Sequence, residues 1–178
     1  SVAVANVEEI RQRRIVDVTD ISLFTPNATV KEFVPGLMPI ITIRGVGLND
    51  FNAANNPATG VYIDEVSLSS LALLSSDFYD LERMEVLKGP QGTLYGRNST
   101  AGALNITTIK PSFDGTTGRV QAGVGDYELA ELEGAVNVPI NDRFAIRLAG
   151  KGINQGEGFY KNSADGNDIG EREVLMGR

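Results

Sequence analysis

Asp64 and Glu65 are adjacent carboxylates, and two acids side by side are the first residues in this chain that invite a catalytic reading. The pattern of residues 61–66 predicts a strand through both, and successive strand residues point to opposite faces. On that reading the pair does not share a substrate, and paired-acid chemistry is not expected. Most of the remaining tools of catalysis are missing. The chain contains neither His nor Cys, which removes a Cys/His metal centre, a thiol nucleophile and a His-based triad. No enzyme activity, cofactor or metal is expected.

Phosphate chemistry fares no better. Gly45-Val46-Gly47 begins a dinucleotide loop, but Asp50 stands where the third glycine belongs and no helix signal follows. No Walker lysine follows Gly92 or Gly96. Arg11, Arg13 and Arg14 form a basic cluster, which the C-terminal end of a short helix explains without a ligand. A formal net charge of -7 leaves no basic stripe with which to displace counterions from nucleic acid.

One stretch does suit binding. Residues 46–59 form a long polar connection in which Phe51 is framed by Asn49, Asp50, Asn52, Asn55 and Asn56, an aromatic surface beside amide donors and acceptors. The composition fits a polar solute, and turn chemistry accounts for the Asn content equally well.

Asn6 is placed to cap a helix, with Glu9 three residues on set to return a bond to the cap, and a second short helix is expected over residues 19–24, ended by Pro26. Pro35, Gly36 and Pro39 break the chain before a strand over residues 40–44. Residues 81–111 read as two strands joined through Gly89, Gly92, Gly96 and Gly102, with one helical turn at residues 93–95. Arg83 and Glu85 share a strand face, where one neutralises the other.

Three blocks in this order, Ile41-Thr42-Ile43-Arg44-Gly45, Gly60-Val61-Tyr62-Ile63-Asp64-Glu65-Val66 and residues 81–110, resemble the plug-domain signature of the TonB-dependent outer-membrane receptors. The resemblance implies an α+β plug domain, a mixed β-sheet with short helices, over residues 1–113. It implies that the first antiparallel strands of a transmembrane β-barrel follow over residues 114–178. It further implies gated, energy-coupled uptake of a scarce solute, such as an iron-siderophore, cobalamin or a glycan, across the bacterial outer membrane. The expected partners are TonB, through a segment upstream of Ser1 that is missing here, a small solute such as a metal chelate, and outer-membrane lipid. Arg44, Asn49, Asp50, Phe51 and Asn52 become expected ligand contacts at the plug apex. Arg44, Gly45, Arg83, Glu85, Gly89, Gly92, Gly96 and Gly102 become the structural motif, with positive φ or close backbone approach among the last four. A non-transporting β-rich binding, adhesion or signalling module is the alternative.

The sequence after Pro111 changes to strict alternation. Val120, Ala122 and Val124, then Ala130, Leu132, Gly134, Val136 and Val138, then Phe144, Ile146 and Leu148 alternate with polar or small residues. A tight turn is expected at residues 139–143 and a long polar loop at 152–171, as in outer-membrane hairpins. A soluble antiparallel sheet with one wet face gives the same alternation. The chain is expected to be a fragment that stops inside a fourth barrel strand.

Overall fold

A computed structural model describes residues 1–34, 37–48, 57–68, 77–96, 98–158, 160–161, 163 and 168–178. It divides into two compact units, Ser1–Ile109 and Lys110–Arg178. Among the described residues no helix is long and apolar enough to cross a membrane, which says nothing of strands.

The first unit is built on a five-stranded mixed sheet. Its strands are β1 (Val2–Asn6), β4 (Thr59–Ile63), β5 (Val66–Leu68), β6 (Leu81–Lys88) and β7 (Gly102–Thr108), in the order β1-β6-β7-β4-β5. Among the described residues of this sheet, only the β4–β7 pair is parallel. One face is apolar because two rows of small and branched side chains line up across it. Ala3, Val86, Leu104 and Val61 form one row, and Ala5, Met84, Ile106 and Ile63 the next. Against them pack Ile10, Ile15, Val18, Ile21, Ile41 and Ile43.

These packing residues come from three local structures. Helix α1 (Val7–Gln12) starts where the Asn6 side chain accepts the Glu9 N–H at 2.9 Å. Glu9 turns away from the cap toward Arg13, 3.8 Å distant. A 3-10 turn, Val18–Leu23, carries a reciprocal acidic cap in which Asp17 accepts from the Thr19 N–H and Asp20 accepts from that of Asp17. The expected helix at this place is thus one residue earlier and of tighter winding.

Strands β2 (Ala28–Val34) and β3 (Leu37–Ile43) form a separate antiparallel ribbon. Pro39 does not break the chain here; it sits inside β3 opposite Glu32. A ribbon of two strands leaves each with an outer edge, where a residue lacking an N–H removes no ladder bond.

The second unit contains a four-stranded antiparallel sheet ordered β13-β10-β9-β8, from β8 (Thr117–Gly125), β9 (Leu129–Asn141), β10 (Phe144–Gln155) and β13 (Arg172–Gly177). A two-residue ribbon, β11 (Tyr160–Lys161) with β12 (Asp168–Ile169), lies between the last two in sequence. The turn expected at residues 139–143 is shorter. Strand β9 runs on through Pro139 to Asn141, and the Asn141 side chain accepts the Arg143 N–H at 2.9 Å to close the reversal. A register shift at Phe144/Ala145 absorbs the extra residue there. Likewise β10 continues past Gly152 to Gln155, so the following connection starts later than expected.

The sheet's two faces are assigned in the reverse of a soluble protein's. Val120, Val124 and Leu175 are 77%, 87% and 90% exposed, and they share a face with Ala122, Leu132, Val136, Val138, Ile146 and Leu148. The opposite face carries Arg119, Glu131, Glu133, Asn137, Arg147 and Lys151, of which Asn137 and Lys151 are only 1% and 4% exposed. Arg119 pairs there with Glu133. Water selects the other arrangement, so alternation of this sense belongs to a sheet whose outer solvent is hydrocarbon.

Candidate functional site

Arg44 occupies the tip of a two-residue reversal in which Ile43 and Val46 exchange backbone hydrogen bonds of 2.9 and 3.0 Å. The chain needs left-handed backbone twice to turn so sharply, and Arg44 and Gly45 supply it with φ of 53° and 78°. Glycine does this at little cost, whereas arginine is held there by its surroundings. Its N–H donates to the Asn27 carbonyl at 2.8 Å, and its guanidinium Nη2 donates to Ser1 Oγ at 2.8 Å.

Lys88 arrives at the same place from the end of β6. Its backbone N–H donates to the Ser1 carbonyl at 3.0 Å, and its Nζ donates to the Pro26 carbonyl at 3.1 Å. Two cationic side chains therefore meet at one end of the sheet, each donating to neutral oxygens. Sequence reasoning did not single out Lys88. Its signal was the Lys88-Gly89-Pro90 step, a cation at a strand end followed by a turn. Asn49, Asp50, Phe51 and Asn52 lie outside the described residues.

The glycines expected to be structural divide into two kinds. Gly89 and Gly96 adopt φ of 101° and 70°. A Cβ on Gly102 would collide with the Leu87 carbonyl oxygen, so β6 and β7 approach too closely there for any side chain. Gly92 differs. It opens the four-residue helix α2 (Gly92–Tyr95) without positive φ, and a Cβ there would meet nothing within 4 Å.

The polar face of the sheet carries a connected cluster. Glu85, Asn105 and Tyr62 are cross-strand neighbours on β6, β7 and β4. Arg83 Nε lies 3.1 Å from Glu85 Oε1, and Asn105 Nδ2 donates to Glu85 Oε2 at 3.2 Å. The Tyr62 hydroxyl donates to the Tyr95 carbonyl at 2.6 Å, and the two rings lie 4.8 Å apart at a tilt of 52°. Burial, and then the Glu85 carboxylate and Tyr62, push the Tyr95 hydroxyl above its ordinary pKa.

Asp64 and Glu65 correct the sequence reading. They do not continue a strand but form the two-residue turn between β4 and β5, with φ of 47° and 70°. Neither is Gly or Asn, which is why the turn was hidden. The Asp64 carboxylate is committed to structure, accepting the Thr108 N–H at 3.0 Å and its hydroxyl at 2.5 Å. The basic cluster at α1 is likewise structural, since Arg13 Nη1 donates to the Leu23 carbonyl at 2.6 Å.

The family model of the TonB-dependent Receptor Plug Domain matches residues 1–103, which hold the five strands of the mixed sheet up to the start of β7, the Arg44-Gly45 reversal and the crossing from β6 to β7. The chain belongs to this family. Among curated relatives, the pesticin receptor of Yersinia pestis is 35% identical over 108 residues, covering 60% of this chain and 15% of that protein. The catecholate siderophore receptor Fiu of Escherichia coli K12 is 33% identical over 92 residues, covering 51% and 12%. The structure of the ferric yersiniabactin uptake receptor FyuA from Yersinia pestis superposes with a TM-score of 0.83 at 26% identity, over 99% of this chain and 28% of that one. The plug chain described here thus spans about 15% of the length of the first of these curated relatives.

Proposed function

We propose that this chain supplies the plug, residues 1–113, and the first barrel strands, residues 114–178, of a receptor that takes up a scarce solute across the bacterial outer membrane. The observation that carries the reading is the reversed second sheet following directly on a plug-family unit. An iron chelate is the solute class favoured, because relatives are named as a catecholate siderophore receptor and a ferrioxamine B receptor. The protein does no covalent chemistry in this reading. Solute meets the plug end bearing Arg44 and Lys88 together with Asn49, Asp50, Phe51 and Asn52, and the two cations favour an anionic ligand. TonB supplies the work through a segment upstream of Ser1, by strand addition, and shifts the plug aside.

The test is growth under iron limitation of a strain lacking its own chelate receptors and carrying the full-length protein. Growth on one chelate and not others, abolished without TonB, is the expected result. Binding without TonB-dependent growth on any solute favours the non-transporting module instead. In the purified receptor, Arg44→Ala and Phe51→Ala each weaken chelate binding by about tenfold, roughly 1.4 kcal/mol. Unchanged affinity in both removes this end of the plug as the contact surface.

A further inference from the structure

Asn137 lies in β9 on the polar face of the second unit and is almost wholly buried, and among the described residues its side-chain amide bonds outside the strands. It reaches to the segment that enters β8. Its Oδ1 accepts the Ser112 N–H at 2.8 Å, and its Nδ2 donates to the carbonyls of Ser112 and Gly115 at 2.9 and 3.0 Å. Accepting from and donating to the same residue reproduces the reciprocal pair that a neighbouring strand offers. The held segment is itself tight. The Ser112 hydroxyl donates to Asp114 Oδ2 at 2.5 Å, the Asp114 N–H donates back to Ser112 Oγ at 3.1 Å, and Gly115 adopts φ of 138°.

We propose that the Asn137 amide is a clamp that fixes the chain at Ser112, so that displacement or unfolding of the first unit stops there and does not open the β8–β9 ladder. Strand β8 begins its ladder with β9 at the Thr117↔Asn137 pair. A pull arriving through Lys110 and Pro111 would, without the clamp, open that ladder one pair at a time from Thr117. With it, the pull must break three bonds of a single buried side chain together. Buried polar groups deprived of partners are costly, which makes the clamp close again after release. The inference rests on reading the second unit as barrel strands, but its test requires neither solute nor TonB, so a mistaken solute assignment leaves the outcome unchanged.

The test uses the full-length receptor in detergent, in urea enough to unfold the first unit while exchange of β9 and β10 amides shows the barrel intact. Hydrogen exchange is followed over residues 110–125, with proteinase K cleavage scored within residues 110–117. In the wild type, residues 117–121 stay protected and no cut appears. In Asn137→Ala, residues 117–121 exchange at least about tenfold faster, the equivalent of one net hydrogen bond, and the segment is cut. Ser112→Pro, which removes the donated N–H without disturbing β9, gives the same reading if Asn137→Ala does not fold. Ser112→Ala, which keeps the backbone pair, behaves as wild type. The proposal is overturned if the wild type is cut within residues 110–117 once the first unit unfolds, if the two clamp variants stay protected in a folded barrel, or if Ser112→Ala loses as much protection as they do.

Discussion

Gly92 and Gly102 belong to one motif and respond differently to the same change. Ala at Gly102 drives a Cβ into the Leu87 carbonyl, so Gly102→Ala is expected to destabilise the first unit by about 2–3 kcal/mol, from overpacking against backbone that has nowhere to move. Gly92→Ala places a methyl in open space within a helix and is neutral or stabilising by up to about 1 kcal/mol. Urea denaturation of both variants checks the pair, and equal effects would contradict the geometry. Tyr95 gives a pH signature. Its hydroxyl pKa is raised in the folded state, so the neutral form is favoured there. That contribution is complete below the ordinary tyrosine value near 10.0 and is lost as pH rises through the folded value. Tyr95→Phe should therefore flatten the decline in unfolding free energy that the wild type shows above about pH 10, while leaving the profile below about pH 9 parallel to it.

At the scale of elements, the turn between β4 and β5 is stapled to the end of β7 by Asp64. Asp64→Ala removes both bonds to Thr108 and leaves φ of 47° without support; it is expected to cost about 1–3 kcal/mol, measured by thermal or urea unfolding. Asp64→Asn retains one acceptor and falls between. This element also shows where the sequence was opaque. The strands from Leu81 to Thr108 were legible because Ile, Val and Thr runs lay between glycines, and the first helix because Asn6 and Glu9 have cap spacing. The Asp64-Glu65 turn was not, since its backbone is imposed by a partner far along the chain and not by its own residue types. Pro39 and Pro139 misled for a related reason. Proline ordinarily ends a strand, but each stands where ladder bonding is already relaxed, at a ribbon edge or beside a register shift. Of the candidate site, Arg44 was visible as part of a motif, whereas Lys88 reaches it only through the pairing of β6 with β1.

For the whole molecule, period-two alternation alone did not distinguish a wet sheet from a membrane one. Only the assignment of faces did, because the apolar side chains stand outward and the Arg119–Glu133 pair inward. The 178-residue polypeptide freed of detergent should consequently self-associate through β8 to β13, whose edge strands offer unpaired N–H and C=O groups beside an apolar face. Light scattering in plain buffer checks this: a stable monomer whose residues 117–178 resist proteolysis would overturn the membrane assignment.

The same sheet sets a rule for insertions and deletions. Because side chains alternate with a period of two, one added residue within β9 reverses every side chain beyond it in that strand, sending Glu133 toward hydrocarbon or Val136 inward, depending on where it falls and which side of the insertion re-pairs. At Phe144/Ala145 a shift of this kind is already accommodated beside a two-residue turn, where few positions remain to be inverted. Gene lengths within this half of the protein should therefore drift in the connection after Gln155, in steps of any size, while β9 and β10 tolerate changes of length only in pairs.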